Sequence, residues 1–286
     1  MLLRDFISEG TASLESIYPV GEARAIVMAL CAGLLGVKSY THIIEPGTEV
    51  PAEHLEELEA DMERLRRLEP LQYVLGYAEF CGFRFNVSPA VLIPRPETEE
   101  LVDLAVRESP SRVLDLCTGS GCIAWSVALS VPGCRVTAVD ISETALDVAR
   151  AQDFDSLLAG KHAVRPEFMI GDVLSQSSFG DGYDVVVSNP PYVMESQKKG
   201  MRGNVLDYEP GLALFVPDTD PLIFYRAVAD HAARSLVPGG RGFVEINDAL
   251  GSETAALYRD RGFEDIRLLQ DISGRDRMIS FKKSEL

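Results

Sequence analysis

Val113-Leu114-Asp115-Leu116-Cys117-Thr118-Gly119-Ser120-Gly121 runs from an apolar strand into a glycine-punctuated turn, and a helical pattern follows at once from Cys122. A strand, a tight turn and a helix N-terminus in that order form the place where doubly wound folds bind nucleotide-like ligands. Gly119 and Gly121 allow the backbone to approach such a ligand closely. The next apolar run, Arg135-Val136-Thr137-Ala138-Val139, ends in Asp140. An acid about 20 residues past the loop stands where these folds hold a ribose diol, and one carboxylate can accept from two hydroxyls at once. The chain has no third glycine in dinucleotide-binding spacing and no GxxxxGK[ST] phosphate loop. The loop residues Cys117, Thr118, Gly119, Ser120 and Gly121, with Asp140, are therefore expected to hold a nucleoside that lacks a pyrophosphate.

Outward from this loop the chain alternates between strands and helices. Strands are expected at 112–116, 135–139, 167–170, 183–188, 242–246 and 265–270, with a last one near 277–281; helices are expected at 122–130, 143–153 and 222–236. The pattern predicts an α/β fold, a doubly wound, mostly parallel sheet with crossover helices. The third strand leads into Gly171-Asp172-Val173. In this topology Asp172 and Val173 fall beside the base of a bound nucleoside. Asp172 can accept from the exocyclic amine of an adenine, or it can cap a helix or turn.

The first seventy residues read as helical. Ala23, Ile26, Val27, Leu30 and Leu34 share one helical face, and the apolar neighbours Met28, Ala29 and Cys31 predict a helix buried on most sides. Leu55, Leu58, Met62, Leu65 and Leu68 mark an amphipathic helix that Pro70 ends. Residues 71–96 change character: Gly76, Gly82, Pro89, Pro94 and Pro96 punctuate short aromatic runs, and Phe83, Phe85 and Val87 alternate with polar residues as in a strand. Pro96 is well placed to open a helix through about Glu108. The expected organisation is a small helical domain at 1–70, a hairpin connector at 71–96 and the ligand-binding α/β domain at 97–286.

Of the 286 residues 46% are hydrophobic and 25% charged, an ordinary globular balance. No run of about 18 apolar residues is present, so no membrane span is expected. Residues 1–10 carry Asp5 and Glu9 without a basic n-region, so no secretory leader is expected. The net charge is −17. Such a chain repels polyphosphate and argues against direct nucleic-acid binding, while favouring solubility or attraction to a basic partner. Residues 1–70 alone hold 13 acidic against 6 basic residues, a net of −7. The five cysteines form no CxxC pair and the four histidines no HxxxH spacing, so no metal site is expected and a reducing cytoplasm is the natural setting.

The strand at 183–188 ends in Asn189-Pro190-Pro191-Tyr192. Two prolines fix φ and remove two donors, so the turn is rigid and its carbonyls are left open. It falls at the carboxyl end of a central strand, where active sites of open α/β sheets lie. An amide or exocyclic amine has a delocalised lone pair and two N–H donors. To attack a methylsulfonium its nitrogen must be held in plane and made more electron-rich. The Asn189 side-chain oxygen and the Pro190 carbonyl can each accept one N–H, and Tyr192 offers an aromatic face to stack on the planar group. Asn189, Pro190, Pro191 and Tyr192 are thus the expected substrate-binding set, with Asn189, Pro190 and Tyr192 catalytic and Asn189 also beside the cofactor.

Asp115-Leu116-Cys117-Thr118-Gly119-Ser120-Gly121, then Asp140, then Asn189-Pro190-Pro191-Tyr192 resemble the class I methyltransferases of amide and exocyclic amine nitrogens. Pro70-Leu71-Gln72-Tyr73, Gly76 and Leu92-Ile93-Pro94-Arg95-Pro96-Glu97-Thr98-Glu99 narrow the resemblance to the release-factor glutamine methyltransferases, the HemK family. Tyr208-Glu209-Pro210 with Ala213-Leu214, and Gly274-Arg275-Asp276-Arg277, are similar to later segments of that family. The likeness has specific motifs from about residue 70 onward and rests on size and helical character before it. It implies S-adenosyl-L-methionine as cofactor and S-adenosyl-L-homocysteine as product. It also implies, as substrate, the glutamine of the Gly-Gly-Gln motif in peptide-chain release factors, gripped partly by the helical domain. An adenine methyltransferase acting on DNA or RNA uses the same turn on a flipped base; the acidic charge argues against it. The family usually has glycine at the position of Cys117. A cysteine there is expected to impose an ordinary negative φ, and is either a thiol near the cofactor or a small buried residue. Arg95 and Glu97 are either solvated linker charges or part of a cover over the cofactor.

Overall fold

The computed structural model describes residues 1–285. In chain order the helices and strands begin with α1 (Leu3–Leu14), α2 (Val20–Leu35), α3 (Thr41–Ile44), α4 (Ala52–Arg66) and α5 (Leu71–Leu75), then β1 (Tyr77–Phe80) and β2 (Phe83–Asn86). The α/β region follows with α6 (Pro96–Arg107), β3 (Arg112–Leu116), α7 (Cys122–Ser130), β4 (Arg135–Asp140), α8 (Glu143–Arg150), α9 (Asp155–Lys161), β5 (Glu167–Ile170) and β6 (Tyr183–Ser188). The chain ends with β7 (Val193–Met194), α10 (Gly203–Leu206), β8 (Phe215–Val216), α11 (Ile223–Ser235), β9 (Leu236–Glu245), α12 (Gly251–Asp260), β10 (Phe263–Gln270) and β11 (Asp276–Lys283).

Two compact units result. The first comprises Met1–Tyr77 and, returning much later in the chain, Arg202–Tyr208; the second comprises Ala78–Met201 and Glu209–Leu286. Residues 71–75, expected to open the hairpin connector, form the short helix α5 of the first unit, and the β1–β2 hairpin begins at the unit boundary. In the first unit Leu3, Ile7 and Leu14 of α1 pack with Val27 and Leu30 of α2 and with Leu58, Met62 and Leu65 of α4. Helix α2 is fully buried only along the stripe Ala23, Val27, Leu30 and Cys31. Met28 and Ala29 are half-exposed, because a three-helix packing gives each helix one inward face. The Tyr208 hydroxyl donates to the Arg67 carbonyl at 2.6 Å, and Arg202 pairs with Glu22 at 2.6 Å, which fastens the returning segment.

The second unit is built on a seven-stranded sheet in the order β10-β11-β9-β6-β3-β4-β5. The five strands from β9 to β5 are parallel, and β11 runs antiparallel between β9 and β10. Central strands read as apolar runs because both faces are covered. Val113, Val136, Val185 and Val187 face one core with α6 and α7. Leu114, Leu116, Val139, Val186 and Val244 face the other, with α11 and α12. Trp125 sits at the centre of the first core, its indole N–H donating to the Ala149 carbonyl at 2.9 Å. From β3 the chain steps outward to β4 and β5, then crosses back to β6 on the other side of β3. The carboxyl ends of β3 and β6 therefore flank a topological switch point, where α/β sheets bind ligands.

Among the elements that depart from expectation are β9 and α12, beside the short α9, β7, α10 and β8 and an α8 that ends at Arg150 and not at 153. Strand β9 begins at Leu236 and includes Pro238-Gly239-Gly240, with an irregular register where Tyr183 faces Leu236 and Val185 already faces Arg241. The bulge tolerates the proline that the interior of a regular ladder would exclude. Helix α12 was not anticipated, because its buried stripe is Gly251, Thr254, Leu257 and Tyr258. Half of that stripe has no large apolar side chain, so its periodicity is faint.

Candidate active site

The turn after β3 is held from below by carboxylates. Asp115, fully buried in β3, accepts from the Thr118 hydroxyl at 2.6 Å. Its other oxygen has no partner among the described residues. Burial, with the like charge of Asp140 nearby, pushes its carboxyl up to about 7. Asp140, the last residue of β4, accepts from the Gly119 N–H at 2.8 Å and the Ser142 N–H at 2.9 Å. Burial raises its carboxyl above the usual range, and the backbone hydrogen bonds oppose the rise. Ser142 in turn caps α8 by accepting from the Ala145 N–H.

The two glycines of the turn serve different ends. Gly119 has φ +54°, and a Cβ added there would meet nothing within 4 Å. Gly121 has φ +77°, and a Cβ would meet Ala149 at 3.0 Å, Phe168 at 3.1 Å and Trp125 at 3.2 Å. Gly121 thus lets the turn close onto the core, whereas Gly119 leaves space open. Cys117 corrects the expectation of an ordinary backbone: its φ is +62°. The turn geometry that favours glycine is kept, and the cysteine adopts the left-handed region. Its side chain packs against the second core, and burial pushes its thiol well above the usual range.

The turn after β6 is held by a side-chain network from distant segments. Asn189 Nδ2 donates to Thr98 Oγ1 at 3.2 Å. Thr98 Oγ1 donates to Glu245 Oε2 at 2.6 Å, and the Tyr192 hydroxyl donates to Glu245 Oε1 at 2.9 Å. Asn247 Nδ2 donates to the Tyr192 carbonyl, and the Asn247 N–H to the Tyr225 hydroxyl. Register places Ser188 beside Val244, so the ends of β6 and β9 carry Asn189 and Glu245 side by side. Burial pushes the Glu245 carboxyl up, and the two hydroxyl donors and Arg277 oppose this.

A cavity of about 210 Å³ joins the two turns. Cys117, Thr118, Gly119, Ser120, Asp140, Asp172, Val173, Asn189 and Pro191 all line it. Gly121, Pro190 and Tyr192 do not. Gly121 packs inward instead, and the Tyr192 hydroxyl is turned to Glu245. Asp172 also accepts from the Leu174 N–H at 2.8 Å, a turn bond that leaves its second oxygen available. The sequence reading missed Thr98 and Glu245. Its available signal was the single acid in the apolar run Gly242-Phe243-Val244-Glu245-Ile246. It also missed the cavity wall formed by Leu92, Pro94, Ile141, Leu174, Leu212 and Phe224. Arg95 lines the cavity too. It pairs with the buried Glu209 at 2.6 Å, and Glu209 also accepts from the Ile93 N–H. The two motifs around residues 92–99 and 208–214 are thereby tied together.

Among the described residues no group of side chains could hold a metal ion, and no helix is long and apolar enough to cross a membrane.

Comparison with known proteins bears on the family of the chain. Residues 5–76 match a family model described as the PrmC N-terminal domain, and residues 97–206 match the methyltransferase small domain. A release factor glutamine methyltransferase of Bacteroides thetaiotaomicron is 45% identical over 273 residues, covering 94% of this chain and 95% of its own. One from Flavobacterium psychrophilum is 36% identical, covering 98% of each. The crystal structure of a release factor-specific protein-(glutamine-N5) methyltransferase from Alicyclobacillus acidocaldarius is 34% identical over 70% of this chain and 99% of that one, with a TM-score of 0.40. With near-complete coverage at such identity, the chain belongs to the family of release factor glutamine methyltransferases.

Proposed function

We propose that the protein transfers a methyl group from S-adenosylmethionine to the side-chain amide nitrogen of the glutamine in the Gly-Gly-Gln motif of peptide-chain release factors, leaving S-adenosylhomocysteine. The observation that carries this reading is that Asn189, which offers an open amide acceptor beside that of the adjacent Pro190 carbonyl, lines the same cavity as a nucleoside-type cradle. The cradle suits the cofactor: Gly119 leaves space unfilled beside the cavity, and Asp140 keeps lone pairs beyond its two backbone bonds for a ribose diol. Thr118, Ser120 and the unpaired oxygen of Asp172 add polar contacts, and Ile141, Val173 and Leu174 add apolar ones. When bound, S-adenosylmethionine supplies an electrophilic methyl group carried on a sulfonium.

Everything else falls to the chain's own residues. Asn189 Oδ1 and the Pro190 carbonyl accept no hydrogen bond among the described residues. Each can take one N–H of a primary amide, fixing its plane and raising electron density on nitrogen. Such positioning can supply several kcal/mol of barrier reduction, up to roughly 7–11 in ideal cases. One N–H proton leaves after transfer without a strong base, because an N-protonated amide is very acidic. The Tyr192 hydroxyl is fixed on Glu245, which stiffens the turn and holds the ring expected to stack on the planar amide.

The acidic helical unit is proposed to grip the release factor. Glu53, Glu56 and Glu59 stand exposed on α4, a face suited to a basic partner surface. The free cysteines, three of them buried, fit a reducing cytoplasm. An adenine substrate in nucleic acid is disfavoured by the charge of −17.

Purified protein incubated with labelled S-adenosylmethionine and a release factor should label the Gly-Gly-Gln glutamine, and an oligonucleotide should stay unlabelled. Asn189→Ala should lower turnover at least about tenfold to a hundredfold, because one amide donor is left unpaired in the site. S-adenosylhomocysteine affinity should change far less. Wild-type turnover in this variant would remove the amide clamp.

A further inference from the structure

We propose that Thr98 and Glu245 are positioning residues that set which way the Asn189 carboxamide faces, so that its oxygen and not its nitrogen meets the substrate amide; this rests on the amide-clamp reading above.

The argument is one of hydrogen-bond polarity. A carboxamide is nearly symmetric in shape, yet its two ends have opposite chemistry. A primary amide substrate presents two N–H donors, so Asn189 is useful only with Oδ1 towards it. Turned over, Asn189 would set N–H against N–H. Nothing in the rigid proline turn chooses between these states, since both keep the same heavy-atom outline.

The choice is made one residue further in. Thr98, at the third position of α6, is 2% exposed and touches both Asn189 and Glu245. A hydroxyl has a single hydrogen. Glu245, 1% exposed, receives that hydrogen at 2.6 Å on Oε2 and the Tyr192 hydroxyl at 2.9 Å on Oε1. An ionised carboxylate accepts only. With its hydrogen committed to Glu245, Thr98 can only accept from Asn189, so Asn189 must turn its NH2 inward. Carboxylate, hydroxyl and carboxamide form a one-way chain that ends with Oδ1 facing the cavity.

The cost of the arrangement supports a purpose. Glu245 makes no ion pair within 4.0 Å among the described residues; Arg277, whose charge acts on it, pairs with Asp271 at 3.2 Å. A carboxylate buried against two hydroxyls is expensive compared with an apolar residue of similar size. Thr98 and Glu245 come from elements 147 positions apart in the chain, yet converge on the side chain that the chemistry uses. A merely structural role would be served as well by an apolar pair.

Four variants test this on the full-length protein with a purified release factor: Thr98→Val, Thr98→Ser, Glu245→Leu, and the first and third combined. Thr98→Val keeps the shape and removes the hydroxyl. It should lower kcat by about tenfold to a hundredfold. KM for release factor and affinity for S-adenosylhomocysteine should stay within about threefold of wild type. Thr98→Ser restores the hydroxyl and should recover most of the loss. Glu245→Leu keeps a similar volume and removes the acceptor, so the Thr98 hydrogen is free to turn to Asn189; kcat should again fall. Because the two act through one chain, the double variant should lose no more than the worse single one. Should Thr98→Val melt early, Glu245→Leu, of similar volume, carries the test. The proposal is overturned if either Thr98→Val or Glu245→Leu, folded, turns over within about twofold of wild type. It is equally overturned if Thr98→Ser is as slow as Thr98→Val, or if the single losses multiply. Should Asn189→Ala itself retain full turnover, the clamp fails and the relay falls with it, whereas normal Thr98→Val turnover beside a slow Asn189→Ala sinks the relay alone.

Discussion

The two turns that meet at the cavity are built in opposite ways. The turn after β3 is a backbone device. Its contacts run from Asp140 to the Gly119 and Ser142 N–H groups, from Thr118 to Asp115, and from the Thr118 N–H to the Val139 carbonyl. All lie within one strand–turn–helix unit and its neighbouring strand. The turn after β6 is a side-chain device. Asn189 reaches Thr98, Thr98 reaches Glu245, and Tyr192 reaches the same carboxylate from the other side. Backbone cradles suit a ligand that recurs across a whole fold class, since they depend on φ and on N–H direction and tolerate varied side chains. Side-chain relays suit a single chemistry, because one altered group reverses the polarity of a hydrogen bond.

This contrast predicts that damage to the two turns separates in kinetics. Asp140→Ala should cost about 1.5–3 kcal/mol of cofactor binding, the range for hydrogen bonds to a charged group, or roughly tenfold to a hundredfold in affinity. At saturating cofactor the turnover should stay near wild type. Asn189→Ala should show the converse pattern. Calorimetry with S-adenosylhomocysteine and steady-state kinetics on release factor read the two separately. If Asp140→Ala lowers saturated turnover as far as Asn189→Ala does, the halves are not independent.

The same contrast explains what the sequence revealed. The first turn is contiguous, so Asp115 to Gly121 and then Asp140 announced it, and nine of the twelve expected residues line the cavity. The Asn-Pro-Pro-Tyr turn was equally visible as a motif. Its supports were not, since Thr98 and Glu245 are separated by 147 positions and no local pattern links them. A lone acid in a buried strand was the one mark left by the relay. Arg95 and Glu97 stayed ambiguous for the same reason: the partner of Arg95, Glu209, lies 114 positions away. Cys117 was misjudged because a side chain was taken to dictate φ, whereas the surrounding turn dictates it.

Below the first turn lies a second cost that the side-chain turn shares. Asp115 is fully buried with one oxygen unpartnered, and its carboxyl is pushed up to about 7 from an ordinary 3.8. The folded state therefore binds a proton that the unfolded state has released across this interval, so stability from this group falls as pH rises through it and levels off above about 7. Between pH of about 5.5 and 8 the loss should be roughly 2 kcal/mol, taking 1.36 kcal/mol per unit. Asp115→Asn keeps an acceptor for Thr118 and removes the charge. Its stability relative to wild type should improve by about that amount over the same interval, measured by urea denaturation at both ends. Parallel pH dependences for the two proteins would mean that Asp115 stays ionised in the fold.

The smallest expected effect tests the backbone character of the first turn most directly. Cys117 sits at φ +62°, a region that costs a residue with a Cβ roughly 1–2 kcal/mol. Its side chain regains part of this by packing against the second core. Cys117→Ala keeps the strained backbone and loses the sulfur contacts, so it should be destabilising by about 1 kcal/mol. Cys117→Gly loses the same contacts but also relieves the strain, and it adds only about 0.4–1 kcal/mol of unfolded-state entropy. The smaller side chain should therefore give the more stable protein, with Cys117→Gly melting above Cys117→Ala and close to wild type. At an ordinary buried position the order is the reverse, since glycine is normally the worse replacement. Melting temperatures of the two variants in the ordinary order would show that packing of the thiol, and not the geometry of the turn, governs this residue.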